Sequence, residues 1–156
     1  MKKKFDEVSL LWEKYDLSTP AGLCGAFRDL ARLCRDDAMR LEDCSQGYTS
    51  PGAYILIAHA LELSLKAFLA KHQISEKELR TCYGHDLDRL YNKAIEVGLH
   101  RSVSEAKKSE AKKKIARINT PHNENALRYD LSTRTLPSGS AVLEVIDAIL
   151  HEVEGP

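Results

Sequence analysis

Apolar residues recur at steps of three and four along most of the chain, the signature of helices with one buried stripe. Over residues 20–46 the stripe is Leu23, Phe27, Leu30, Cys34, Ala38 and Leu41, while Arg28, Asp29, Arg32, Arg35, Asp36 and Arg40 take the other faces. Pro20 stands near the start, where a missing N–H costs little. The stretch from Gln46 to Gly52 reads as a turn. Residues 52–72 are apolar nearly all round, which predicts the central, most buried helix. Ser75-Glu76-Lys77-Glu78 fits a capping box and opens a short helix ending near Tyr83-Gly84. Asp86 is placed to cap the next helix, whose stripe is Leu87, Leu90, Tyr91, Ala94 and Ile95, with Gly98 as its stop. Ser102 to Glu105 offers a further start, for a lysine-rich helix that Pro121 should end. Asn123 to Tyr129 is expected to add a turn or two, followed by a loop over Ser132–Gly139. Val142, Val145, Ile146, Ile149, Leu150 and Val153 mark a last helix over 140–153. No segment alternates with period two, so the expectation is an all-α antiparallel bundle of about four to six helices. It forms one domain, with a core over 20–153 and residues 1–19 as an N-terminal segment.

Length and composition agree with one ordinary core. The chain has 156 residues, 43% hydrophobic and 29% charged. Its 23 basic and 23 acidic side chains balance, which argues against a protein that grips phosphates over its whole surface. Zero net charge also leaves self-association unopposed. Cys24, Cys34, Cys44 and Cys82 form no CxxC pair and have no zinc-finger spacing, so reduced thiols in or near the core and no bound metal are expected. The lysines at the N-terminus precede only a short apolar run, so no signal peptide and no membrane association are expected, and a reducing cytoplasm is the expected location. No phosphate-binding glycine loop or nucleophile elbow occurs, and no cofactor is expected.

Three sets of residues carry candidate chemistry. His59, Glu62 and Lys66 share one face of the most apolar helix, and buried charge must be paired. The spacing fits a structural salt bridge at the bundle edge or one wall of a polar cleft. In Gly84-His85-Asp86-Leu87 the glycine permits a sharp turn, Asp86 caps, and His85 either packs at the helix entry or points back toward Glu62. Lys107, Lys108, Lys112, Lys113, Lys114 and Arg117 crowd one segment with Glu110 opposing them. They form either a solvated helix face or a phosphate-contacting patch.

The run Ala60-Leu61-Glu62-Leu63-Ser64-Leu65-Lys66-Ala67-Phe68-Leu69, followed by Tyr83-Gly84-His85-Asp86-Leu87 and later by Leu127-Arg128-Tyr129, resembles the HEPN superfamily of bacterial helical bundles. The resemblance implies a binding or assembly module that contacts RNA, a nucleotide or a partner protein from a neighbouring gene, in a toxin–antitoxin or defence setting, and a homodimer. Many HEPN proteins also carry an Arg four to six residues before a His as a metal-independent ribonuclease site, and Arg117 and His122 match that spacing. The resemblance thus implies a second reading, an endoribonuclease in which arginine stabilises phosphate charge and histidine transfers protons. The third reading is a structural domain that mainly oligomerises.

Overall fold

A computed structural model describes residues 13–43, 49–124, 127 and 136–155. Every regular element among them is helical. In chain order they are α1 (Pro20–Asp43), α2 (Pro51–Lys71), α3 (Glu76–Glu78) running into a π-helical turn (Leu79–Tyr83), α4 (Leu87–Val97), α5 (Glu105–Asn123) and α6 (Gly139–Glu154). Residues 1–12, Cys44, the turn residues Gln46 to Tyr48, Arg128, Tyr129 and the first half of the loop over 132–139 lie outside the described residues.

The expected caps form at Ser75 Oγ, which accepts from Glu78, at Asp86 Oδ1, which accepts from Arg89, and at Ser104 Oγ, which accepts from Lys107, each satisfying an amide that the helix itself leaves unpaired. Ser50, read only as part of a turn, also caps: its Oγ accepts from the Ala53 amide. Gly98 ends α4 at φ 120°, a conformation that favours glycine, with its N–H donating to Ala94 and Ile95.

Helix α2 is the hub, in contact with α1, α4, α5 and α6. Ile57, Ala58, Ala60, Leu61, Leu65, Ala67, Leu69 and Ala70 are wholly buried on it. By length and composition α2 could cross a membrane, but most of it is buried inside the bundle, as in a core helix. Helix α1 lies along α2 through Leu23 and the fully buried Ala26, Ala31 and Ala38, whose small side chains allow close approach. Arg35 ties α1 to α6, donating Nε and Nη2 to the two oxygens of Asp147 at 2.6 and 2.9 Å. Lys71 Nζ donates to the carbonyls of Glu152, Val153 and Gly155 and so closes the end of α6.

Two expectations are corrected. Leu41 is 41% exposed rather than part of the buried stripe. Pro121 does not end α5, which runs on to Asn123 with Pro121 buried inside it. Proline removes one helical N–H, here the partner of the Arg117 carbonyl, and in the last turn that loss is confined to one bond. Burial of the Pro121 ring alongside Ala111, Ile115 and Ile118 offsets it. The extra turn carries His122 into the bundle.

Candidate functional site

The site is built around one carboxylate. Glu62 faces inward from α2 and is only 2% exposed. Lys66, one turn along, donates Nζ to Glu62 Oε1 at 2.6 Å. Both residues belong to the stripe expected on this helix, and their i,i+4 order suits an ion pair. Burying two charges costs several kcal/mol, so one ion pair is a thin return. The remaining lone pairs of Glu62 are met by two histidines from other elements. His85 Nδ1 lies 3.0 and 3.1 Å from the two oxygens, and His122 Nε2 lies 2.7 Å from Oε2.

This network fixes the state of its members. Burial pushes the Glu62 carboxyl up, but hydrogen bonds from His122 and Lys66, the Lys66 charge and the His85 bond outweigh it and hold its pKa down to about 2. An ionised carboxylate only accepts hydrogen bonds, so His85 must donate from Nδ1 and His122 from Nε2. That leaves His85 Nε2 and His122 Nδ1 for chemistry elsewhere. The two rings stand edge to face with centroids 6.4 Å apart. His85 is open to solvent, with 71% of its side chain exposed, whereas His122 keeps 15%.

His85 is placed by the turn before α4. Gly84 ends the π-helical turn at φ 54° and donates to the Leu79 carbonyl. Asp86 does not touch Glu62; it caps α4 and accepts from Asn119 Nδ2 at 3.1 Å. Asn119 is the residue that sequence reasoning missed. Its Oδ1 accepts the Leu87 amide at 2.7 Å, and its Nδ2 also reaches Asp88 Oδ2 at 3.1 Å. One side chain of α5 therefore satisfies the open N-terminus of α4, and three positions later on the same face α5 presents His122. The sequence signal was the i,i+3 pair Asn119/His122 on a helix assumed to have ended.

The other candidates are dispersed. His59 is exposed at the edge of the network. The protein packed around it, with the His122, Lys66 and His85 charges, holds its pKa below the ordinary value against the pull of Glu62. Arg117 is exposed. Five positions along a helix is a turn of roughly 140° beyond one full revolution, so Arg117 and His122 leave α5 from different faces. Lys108 pairs with Glu105 at 2.7 Å and Lys114 with Glu110 at 2.9 Å, while Lys107, Lys112 and Lys113 are exposed along α5. Leu127 is buried at 3%. Cys24 and Cys34 are half-buried against the core and Cys82 is exposed, all as free thiols. A cleft of about 630 Å³ lined by Leu17, Pro20, Leu23, Phe27 and Gln73 lies apart from the Glu62 network and shares none of its residues.

Chemically, the arrangement offers two oriented imidazoles and an ammonium around a buried anion, open on the His85 side. No family model, curated protein or solved structure matches this chain.

Proposed function

We propose that this chain is a HEPN-like helical module that binds RNA through its phosphates, with His85 and His122 at one face of the site and exposed cations distributed around the neighbouring helix α5. The observation that supports the reading is the convergence of three cation-capable side chains, from three separate elements, on the one buried carboxylate of α2. The same contacts also satisfy the buried carboxylate, and what supports a binding role beyond that is the 71% exposure of the His85 side chain on the open side of the network. Exposed Lys107, Lys112, Lys113 and Arg117 on the helix that carries His122 supply the electrostatic approach. The setting is the toxin–antitoxin or defence context that the resemblance implies, with a homodimer covering the exposed Leu33, Met39 and Leu41 of α1. The test is a binding isotherm for short single-stranded RNA in EDTA at several salt concentrations. Binding should weaken linearly in log–log form with salt, and Lys112→Ala/Lys113→Ala should reduce the slope by about 1.4. Absence of binding at low salt rejects the reading.

A second reading, a metal-independent endoribonuclease, is favoured by the way Glu62 fixes the tautomers of His85 and His122. One ring accepts the proton of the ribose 2′-hydroxyl as it attacks phosphorus, and the other, protonated, gives a proton to the departing 5′-oxygen. In this reading His85 takes the place of Arg117 as the partner of His122, supported by their edge-to-face rings 6.4 Å apart. Cleavage of mixed RNA in EDTA, compared across His122→Ala, His85→Ala and Arg117→Ala, decides it. Loss with both histidine variants and survival with Arg117→Ala is expected; uncleaved RNA with wild type removes this reading and leaves binding.

A further inference from the structure

We propose that Glu62, His85 and His122 form a binding site for one divalent transition-metal ion of the zinc class, an activity that goes beyond RNA recognition and does not depend on it. The donor set is two imidazole nitrogens and one carboxylate oxygen, the kind that zinc, cobalt and nickel favour over magnesium or calcium. Glu62, His85 and His122 each offer one ligand atom, and these atoms all lie within 4.8 Å of one another; His85 Nδ1 and His122 Nε2 stand 3.1 and 2.7 Å from Glu62 Oε2. A four-coordinate ion with bonds of about 2.0–2.2 Å needs its ligand atoms roughly 3.3 Å apart. The Glu62–His122 contact of 2.7 Å must therefore open slightly, and His85 must close on His122. Glu62 and His122 are anchored on α2 and α5. His85 follows Gly84, is largely exposed, and is the ligand free to adjust.

Lys66 does not block the ion. Its ammonium sits on Oε1 and holds the carboxylate so that Oε2 faces the histidines. A neutral imidazole carries its proton on either nitrogen, so moving it to the other one turns the lone pair of His85 Nδ1 or His122 Nε2 toward the metal without releasing a proton from the protein. The exposed side next to His85 leaves room for water as the fourth ligand, the usual completion of a three-residue site. The ligands come from α2, the turn before α4, and α5, so the ion cross-links elements that side-chain hydrogen bonds otherwise join.

The test is isothermal titration of Zn²⁺ into full-length protein stripped with EDTA and then freed of chelator, with Co²⁺ absorption as a spectroscopic report of the ligand field. One ion per chain is expected, with a rise in melting temperature and a visible Co²⁺ band characteristic of nitrogen and oxygen donors. Losing even a residue that supports a ligand costs 10–100-fold in metal affinity, so His85→Ala and His122→Ala should each weaken binding by at least about tenfold. His85→Ala removes an exposed side chain and leaves the fold intact, which keeps the test valid if His122→Ala is unstable. Cys82→Ser should bind as wild type does. No binding by wild type, binding unaffected by His85→Ala, or binding that disappears with Cys82→Ser would overturn the proposal. RNA binding is read separately in EDTA, so failure of one reading leaves the other standing.

Discussion

At the level of single residues, an ionised carboxylate survives inside α2 because three side chains donate to it. The Glu62 pKa is lowered from 4.5 to about 2 in the folded chain, so the unfolded state binds the proton more readily. Stability from this group is therefore fully present above about pH 4.5 and is lost as pH falls through 2, amounting to about 3 kcal/mol. In a metal-free buffer, Glu62→Gln should flatten the fall of unfolding free energy between pH 4.5 and 2, as followed by denaturant titration; an unchanged slope would mean that Glu62 carries no such linkage. The partners are unequal. Lys66 is 12% exposed and neutralises Glu62 directly, so Lys66→Met leaves a buried charge short of a counterion and should cost about 3–5 kcal/mol. His85→Ala exposes the same carboxylate to water from the open side and should cost about 1 kcal/mol. Chemical denaturation of the two variants in parallel checks that order.

Among the elements, α4 and α5 are joined by the Asn119 amide, by the Tyr91 hydroxyl donating to the Lys108 carbonyl, and by buried apolar side chains of both helices. Asn119→Ala strands the Leu87 N–H at the start of α4 and removes two further hydrogen bonds to Asp86 and Asp88. An unsatisfied buried donor costs about 1–3 kcal/mol, and hydrogen exchange at the Leu87 amide should accelerate in the variant more than at α6 amides. The helices and their caps were legible in the chain, because serine or aspartate before an apolar run has a local physical effect that needs no tertiary context. Asn119 was legible only as the i,i+3 neighbour of His122 on a helix continued past Pro121, since its partners lie more than 30 residues away and nothing local marks them. Pro121 misled for a related reason. Its helix-breaking tendency is local, whereas the burial that outweighs it depends on the whole bundle. Glu62, Lys66 and a returning His85 could be read from spacing, but His122 could be paired with Glu62 only after α5 was extended. Leu41 kept the helical period and still lies outside the core, because period fixes a face and not what covers it.

For the whole molecule, apolar burial is uneven. Helices α2 and α6 carry most of the fully buried aliphatic side chains, whereas α5 buries Ala111, Ile115, Ile118 and Pro121 and is otherwise polar. Local opening should follow that distribution, so α5 amides should exchange before those of α2 and α6. Bound RNA should raise protection in α5 and around His85 selectively, as measured by hydrogen exchange with mass spectrometry; uniform protection across the bundle would contradict a site on this face. The bundle thus supplies a rigid wall from α2 and a more labile helix that carries His122 and the lysines.

¹⁵N NMR of the histidine rings in EDTA, with and without a short RNA, reads the Glu62 network and its proposed ligand together. The expected result is His85 protonated at Nδ1 and His122 at Nε2 in the free protein, both tautomers lost in Glu62→Gln, and RNA-induced shifts concentrated on these two rings while His72, His100 and His151 stay in place. His85 and His122 in tautomer mixtures indifferent to Glu62, or RNA shifts that leave both rings untouched, would contradict it.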